Sequence, residues 1–311
     1  MISRKHFVRR ALNMALLPFG VRLEQTPAPC TLGDLCAMLP GIGFDGAIFW
    51  QPVYSDWMVR RQDRLRILSA HHELRFTAEK EGLRLRFDDL QFRIMGHDEL
   101  LILHEVFHKR EYSLELGNRP HVVADFGMNV GIASLFFARQ SAVTAVYGYE
   151  PFRPTYELAL QNISMNPGCG HKIIPHQYGL GRESAKMVCD YNALNRGLMG
   201  NMADHSRHPW LKTFTAEEIE MRSASVEIQR IKNEHPSDLL ILKCDVEGAE
   251  KEIVRDLSET DTWRLVNMVV MEWHYESPDL IVRQFTDMGY VVSVHGGETA
   301  DTWNVTAIRC P

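Results

Sequence analysis

The fold of this protein is set by the sequence His121-Val-Val-Ala-Asp-Phe-Gly-Met-Asn-Val-Gly131. The apolar residues before Asp125 predict a buried strand, and residues 132–139 carry apolar side chains at helical spacing. A strand that passes through a glycine-containing turn into a helix is typical of an open parallel α/β sheet, in which ligands bind at the carboxyl ends of the strands. The sequence therefore predicts a ligand-binding turn over residues 125–131.

The residues of this turn suit a ligand that carries an amino-acid group. Gly127 and Gly131 let the backbone approach a ligand closely, and Asn129 tolerates a positive φ better than most residues. Free N–H groups at the start of the next helix favour an anion, whereas Asp125 favours a cationic or hydrogen-bond-donating group. A nicotinamide site would require Gly-x-Gly-x-x-Gly, which this turn lacks. A structural turn without a ligand is the remaining alternative.

Length and composition are those of an ordinary soluble protein. The 311 residues suffice for one large domain or two modest ones, and 45% are hydrophobic and 24% charged. The net charge of −6 disfavours nucleic acid as a partner. The six cysteines contain no Cys-x-x-Cys motif, which argues against a disulfide framework and against a cysteine zinc site. We therefore expect a cytoplasmic protein.

Residues 1–97 are expected to form an accessory region ahead of the main domain, residues 98–311. Basic residues followed by the apolar run at residues 11–21 superficially resemble a signal peptide, but Pro18 interrupts the run, which is too short to span a bilayer. We expect no transmembrane segment, and instead a short amphipathic helix that packs on the protein or touches a membrane surface. Alternating apolar residues between residues 72 and 94 predict a small antiparallel β meander.

The predicted helix over residues 99–109 contains a motif of a different enzyme class, His104-Glu-Val-Phe-His108. In zinc peptidases this spacing places two imidazoles one helical turn apart, with the glutamate, here Glu105, as the base. The metzincin continuation would need glycine and histidine at two later positions, where this chain has Glu111 and Leu114. We therefore expect no metal site, and a zinc hydrolase that uses His104, Glu105 and His108 is kept as an alternative function.

Further acidic residues follow predicted strands. Glu150 ends a second strand 25 residues after Asp125, close to the ~20-residue spacing at which an acid meets ribose hydroxyls in dinucleotide folds. Residues 191–215 show no clear period, and a loop of this length favours a lid.

The continuous apolar run over residues 239–242 predicts a central parallel strand, and a later strand over residues 266–274 is also predicted. These two strands end in acidic residues at the same sheet edge.

Taken together, five segments resemble the FkbM-type family of S-adenosylmethionine-dependent methyltransferases: Val123–Gly131, Tyr149-Glu-Pro151, Asn162 with Asn166, Leu242–Glu250, and Met271-Glu-Trp-His274. The resemblance covers about residues 99–309. It implies a class I, Rossmann-like α/β core, with a mostly parallel seven-stranded sheet and helices on both faces. It also implies S-adenosyl-L-methionine as the cofactor and methyl transfer to a hydroxyl, often on a sugar or secondary metabolite.

The resemblance and the chemistry of the strand ends lead to a set of candidate cofactor-binding residues. Asp245 is expected to contact either the amino group of the cofactor or the acceptor, and Tyr178 is expected to stack near the adenine. The full set is Asp125, Gly127, Asn129, Gly131, Glu150, Tyr178 and Asp245.

The candidate catalytic residues are His274, Glu247 and Glu272. An activated methyl group requires the protein mainly to position the acceptor and exclude water, but an alkyl hydroxyl is a weak nucleophile that needs a base. His274 is the first choice because an unperturbed imidazole has a pKa near neutrality, and Glu247 is the second. Helix capping by Glu247 and an ordinary strand-end role for His274 are the alternatives. A catalytically silent cofactor-binding or scaffold protein would need no base. We expect a small-molecule or carbohydrate acceptor.

Overall fold

The computed structural model describes residues 31–192, 214–274, 277–297 and 302–309. The amphipathic helix predicted over residues 11–21 and nearly all of the predicted lid over residues 191–215 lie outside these ranges. Within these ranges, the helices are too short or too polar to cross a membrane.

The first region contains the predicted meander and adds a strand to it. Its elements, in order, are α1 Leu32–Met38, β1 Gly43–Asp45, α2 Pro52–Arg60, α3 Gln62–Ser69, β2 Leu74–Ala78, β3 Leu83–Phe87, β4 Leu90–Ile94 and α4 Asp98–Leu103. Strands β2, β3 and β4 pair antiparallel as predicted, and β1 joins the edge in parallel with β2. The inward-facing leucines and phenylalanines of the meander are buried, which accounts for its period of two.

The predicted helix over residues 99–109 changes its geometry halfway. After α4 the chain continues as a π-helix over His104–Lys109, and Arg110, at a φ of 57°, ends it in the left-handed region. The α-helical spacing that the zinc hypothesis requires is therefore absent.

The rest of the chain builds the main sheet and a smaller one. The elements are β5 His121–Phe126, α5 Ile132–Ala138, β6 Val143–Tyr149, α6 Arg153–Ser164, α7 Pro167–Gly170, β7 Ile173–His176, β8 Gly179–Gly181, β9 Ala185–Tyr191, β10 Thr215–Ser223, α8 Ala224–Glu234, β11 Leu239–Cys244, α9 Glu250–Glu259, β12 Met268–His274, α10 Asp279–Asp287, β13 Tyr290–Gly296 and β14 Thr302–Arg309.

The seven-stranded sheet has the order β13-β14-β12-β11-β5-β6-β7, and only β14 runs antiparallel to its neighbours. The chain moves outward from β5 to β7 and then returns to β11 on the other side of β5. Strand order therefore reverses between β5 and β11, and ligands bind at this point at the carboxyl ends of the strands. This is the predicted Rossmann-like α/β fold, with β11 as its central strand. Strands β8, β10 and β9 form a separate three-stranded sheet.

Apolar side chains bury both faces of the main sheet. One face, with Val123 and Ile241, belongs to the same core as the meander, so this core runs across residue 97. The other face, with Leu240 and Leu242, packs with α8, α9 and α10. The division of the chain into residues 1–97 and 98–311 stays a prediction.

Two buried asparagines join the meander to the main domain, and one of them contacts the turn after β5. The Asn162 side chain accepts a hydrogen bond from the backbone N–H of Arg93 at 2.7 Å and donates one to the carbonyl of Val130 at 2.8 Å. Asn166 both accepts from and donates to the backbone of Gln91. The amide group suits this position because it offers a donor and an acceptor at once.

Candidate active site

The turn after β5 has the predicted left-handed backbone. Gly127, Asn129 and Gly131 have φ values of 78°, 50° and 83°. A Cβ atom on Gly127 would lie 1.8 Å from the carbonyl oxygen of Asp245. Glycine is therefore required here, because the turn packs directly against the chain that leaves β11.

Asp125, at the end of β5, is fully buried. One carboxylate oxygen accepts a hydrogen bond from the Ser134 hydroxyl, and the other lies 3.1 Å from the ammonium group of Lys243. The cation that Asp125 meets in the structure thus comes from the protein itself. A direct contact between Asp125 and the cofactor stays a prediction.

Lys243 lies at the centre of the site, and sequence reasoning gave it no role. Its side chain is 2% exposed, and its ammonium group donates to the carbonyl of Gly127 at 2.6 Å and approaches Asp245 at 3.7 Å. Burial alone would lower the pKa of Lys243, but the carboxylates of Asp125 and Asp245 outweigh burial and raise this pKa. One feature of the sequence could have identified Lys243: it directly follows the continuous apolar run over residues 239–242.

Glu150 is buried at the end of β6, beside the turn. Its two carboxylate oxygens accept hydrogen bonds from the backbone N–H groups of Asn129, at 3.1 Å, and Phe152, at 3.0 Å. Burial raises the pKa of Glu150 to about 7, although both hydrogen bonds act in the opposite direction. Each oxygen keeps a further lone pair with which to accept a ribose hydroxyl.

Asp245 is held by a tyrosine that sequence reasoning also missed. The hydroxyl of Tyr112 donates to a carboxylate oxygen of Asp245 at 2.8 Å. Burial, followed by the charge of Asp245, raises the pKa of Tyr112 well above its ordinary value, so the hydroxyl remains a donor. The two residues are 133 positions apart in the chain, and no local pattern connects them.

The three predicted catalytic residues come together at the ends of β11 and β12. His274 Nε2 lies 3.5 Å from a carboxylate oxygen of Glu247 and 3.9 Å from one of Glu272. The other ring nitrogen, Nδ1, lies 2.9 Å from Glu250. The same oxygen of Glu250 accepts hydrogen bonds from the backbone N–H groups of residues 246 and 248. Glu250, the first residue of α9, therefore fixes the orientation of His274.

The electrostatics of this group change the expected order of the bases. Burial would lower the pKa of His274, but the carboxylates of Glu250 and Glu247 raise it to about 10. Burial raises the pKa of Glu272 to about 8, and that of Glu247 well above its ordinary value. The imidazole is therefore charged at neutral pH in this arrangement. The pKa of an unperturbed imidazole therefore gives no reason to prefer His274 over the two glutamates as the base.

Tyr178 is buried in a different aromatic group. Its ring centroid lies 5.5 Å from that of Tyr149 and 5.3 Å from that of His176. The guanidinium carbon of Arg222 lies 3.9 Å from the ring centroid. One face of the Tyr178 ring is therefore covered, and its stacking on an adenine stays a prediction.

The histidines of the His-Glu-x-x-His motif do not form a metal group. The rings of His104 and His108 stack at 5.0 Å, and His71 stacks on His108 at 5.7 Å. Among the residues that the structure describes, only Asp245, Glu247 and His274 have three ligand atoms close enough to share one metal ion. The zinc hydrolase alternative thus lacks a third ligand within the described ranges.

Comparisons with known proteins agree with this architecture. The family model of the methyltransferase FkbM domain matches residues 125–292, which include both sides of the point where strand order reverses. Methyltransferase 1 of Beauveria bassiana (strain ARSEF 2860) is 26% identical over 182 residues, 54% of this chain and 70% of that protein. Methyltransferase sdnD of Sordaria araneosa is 24% identical over 193 residues, 55% of this chain and 73% of that protein.

Among solved structures, the methyltransferase FkbM from Methylobacillus flagellatus KT is 16% identical and has a TM-score of 0.40. The aligned part covers 82% of this chain and 60% of that one. The match of the family model extends over more than half of the sequence. The chain therefore belongs to the FkbM methyltransferase family.

Proposed function

We propose that this protein is an S-adenosylmethionine-dependent O-methyltransferase that acts on a hydroxyl of a small molecule, such as a sugar or a secondary metabolite. One observation carries the proposal. The left-handed turn with Glu150 lies on one side of the point where strand order reverses, and the Asp245–His274 group lies on the other. Membership of the FkbM methyltransferase family supports a methyl group as the group that is transferred.

The residues of the turn fit the cofactor. S-adenosylmethionine supplies a methyl group that its sulfonium has already activated. Glu150 has unused lone pairs beside the turn and would accept the ribose hydroxyls. The left-handed residues of the turn would hold the amino-acid end, in a backbone shape that is fixed by the hydrogen bond from Lys243 to the carbonyl of Gly127.

On the acceptor side, exposure separates the residues that can touch the substrate from those that position them. The side chains of Glu247 and Glu272 are 22% and 24% exposed, whereas that of His274 is 5% exposed. A carboxylate is therefore the group that an acceptor hydroxyl reaches first, and it removes the proton of the hydroxyl as the new bond forms. His274 is a positioning residue that holds the two carboxylates and is itself held by Glu250.

The first experiment is calorimetric titration of the full chain with S-adenosylhomocysteine. We expect binding to wild type, no binding of NAD, and at least about tenfold weaker binding to Glu150→Gln, because a buried acceptor for ribose is lost. Glu157→Gln is the matched control, since Glu157 is an exposed acid on α6 that pairs with Arg153 on the same helix. Equal affinity in wild type and Glu150→Gln would contradict the assignment of the ribose site.

The second experiment separates an enzyme from a silent cofactor-binding protein. The chain is incubated with radiolabelled S-adenosylmethionine and a panel of sugars and hydroxylated small molecules, and transfer of label is measured. We expect Glu272→Gln to retain binding of S-adenosylhomocysteine and to lose transfer by at least about a hundredfold, the usual contribution of a general base. Cofactor binding without transfer to any acceptor would favour the silent protein.

A further inference from the structure

One oxygen of Asp245, one oxygen of Glu247 and one ring nitrogen of His274 lie within 4.8 Å of one another. Two ligand atoms of one metal ion lie about 3–5 Å apart when the metal–ligand bonds are about 2.0–2.6 Å long, so these three atoms are close enough to share one ion. We infer that Asp245, Glu247 and His274 bind one divalent cation beside the acceptor, an inference that rests on the proposed function of this site and deepens it.

A fourth residue orients the imidazole for this role. Glu250 holds Nδ1 of His274 at 2.9 Å, which leaves Nε2 on the side of Glu247. A carboxylate on the second nitrogen of a histidine ligand is the usual outer partner in metal sites, because it fixes the ring and strengthens the ligand. Backbone N–H groups of residues 246 and 248 hold Glu250 in turn. Glu250, which orients His274, is therefore not itself one of the three proposed ligands.

The carboxylate of Asp245 is fixed independently. Tyr112 donates to one of its oxygens from the segment before β5, and Lys243 approaches the same oxygen from β11. The ligands thus come from the ends of two strands, and groups on other parts of the fold hold two of them. Ligands held in this way lose little conformational freedom when an ion binds.

The balance of charge also favours a cation. Asp245, Glu247, Glu250 and Glu272 surround a single imidazole. Lys243, which lies 3.7 Å from Asp245, is shared with Asp125. These carboxyl groups lie in a largely buried space, where unpaired negative charge is costly. A divalent ion would supply the missing positive charge.

The donor set indicates the class of ion. Two carboxylates suit the hard cations Mg²⁺ and Mn²⁺, and one imidazole shifts the preference toward Mn²⁺. The backbone of Asp245 touches the turn at Gly127, so the ion would lie next to the cofactor. There it would bind the oxygen of the acceptor hydroxyl and make the hydroxyl more acidic. The released proton would pass to the carboxylate of Glu272, which is not one of the three ligands.

The test uses Mn²⁺ alone as the probe. The full chain is freed of metal with a chelator and titrated with Mn²⁺, and the electron paramagnetic resonance signal of free Mn²⁺ reports binding. We expect one ion per chain. Outer-shell substitutions alone weaken metal sites by about 10–100-fold, so Glu247→Gln should weaken binding at least about tenfold. Glu252→Gln, an exposed acid on α9, should bind as wild type does.

The outcomes distinguish this inference from the proposed function. If S-adenosylhomocysteine binds and Mn²⁺ does not bind to wild type, the metal site is wrong and the cofactor site stands. If Mn²⁺ binds and S-adenosylhomocysteine does not, the metal site stands and the proposed function fails. Mn²⁺ binding that Glu247→Gln leaves unchanged would place the ion elsewhere and overturn the inference. Thermal melting of each variant confirms that it is folded before titration.

Discussion

The substitution Lys243→Met tests whether the buried ammonium group holds the site together. The side chain keeps much of its length and loses its charge. In the wild type, this ammonium group lies 3.1 Å from Asp125 and 3.7 Å from Asp245 and donates to the carbonyl oxygen of Gly127 at 2.6 Å. The substitution leaves a fully buried carboxylate facing an apolar group, and it removes a hydrogen bond from the turn.

The expected cost follows from this geometry. Removal of one partner of a buried ion pair costs about 3–5 kcal/mol, because the other charge remains buried and uncompensated. Domains are typically stable by only about 5–15 kcal/mol, so the variant should be close to the limit of folding. Asp125→Asn in the same chain removes the stranded charge. We therefore expect Lys243→Met with Asp125→Asn to be more stable than Lys243→Met alone.

Urea unfolding followed by tryptophan fluorescence measures these free energies for wild type, both single variants and the double variant. The control is Lys186→Met, since this exposed lysine pairs with Glu218 at the surface and should cost less than about 1 kcal/mol. Two results would refute the reasoning: a Lys243→Met variant as stable as the control, or costs of Lys243→Met and Asp125→Asn that simply add. Either result would mean that Lys243 does not compensate the charge of Asp125.

Four further outcomes follow from other contacts in the structure. Because burial raises the pKa of Glu150 to about 7, the affinity for S-adenosylhomocysteine, measured by calorimetry, should increase from about pH 6 to about pH 8 as the carboxylate ionises. Glu150→Gln should show no such increase. The folded protein also keeps this proton where the unfolded chain has lost it, so this group should lower stability as pH rises from 4.5 to about 7. Gly127→Ala should abolish S-adenosylhomocysteine binding, because its Cβ would meet a carbonyl oxygen at 1.8 Å. The control is Gly289→Ala, at a residue with a φ of 82° and open space around it, which should lower stability by only about 1–2 kcal/mol in thermal melting and bind normally. Equal effects of the two substitutions would argue against the close approach at Gly127. Asn162→Ala leaves the N–H of Arg93 and the carbonyl of Val130 without this hydrogen-bond partner, and it should lower the free energy of unfolding in urea by at least about 2 kcal/mol. A loss below about 1 kcal/mol would show that the meander packs against the turn without this amide.

Local patterns were sufficient to predict most of the elements. The alternation in residues 72–94 gave the meander, and the uninterrupted apolar run over residues 239–242 gave the central strand. These features repeat over a few residues, and burial on one or two faces explains them. The left-handed backbone of the turn was also predictable, because glycine and asparagine identify such positions.

The residues that complete the site were not predictable in the same way. Tyr112 reaches Asp245 across 133 positions, and Lys243 reaches the carbonyl of Gly127 across 116. Such contacts depend on which strands are neighbours in the sheet, and the periodicity of apolar residues along the sequence does not indicate strand order. The additional strand β1 and the separate sheet of β8, β9 and β10 depend on long-range pairing in the same way.

The electrostatic properties of His274 could not be predicted from its residue type alone. An imidazole on an isolated strand would titrate near neutrality. In this fold, parallel strands deliver Asp245 and Glu272 to one edge, and the chain after β11 adds Glu247 and Glu250. A base for one proton requires only one carboxylate. The other carboxyl groups have different roles: Glu250 orients His274, and Asp245 and Glu247 would hold the proposed divalent cation. The crowding that raises the pKa of His274 thus supports the proposals of Glu272 as the proton acceptor and of a cation held by Asp245, Glu247 and His274.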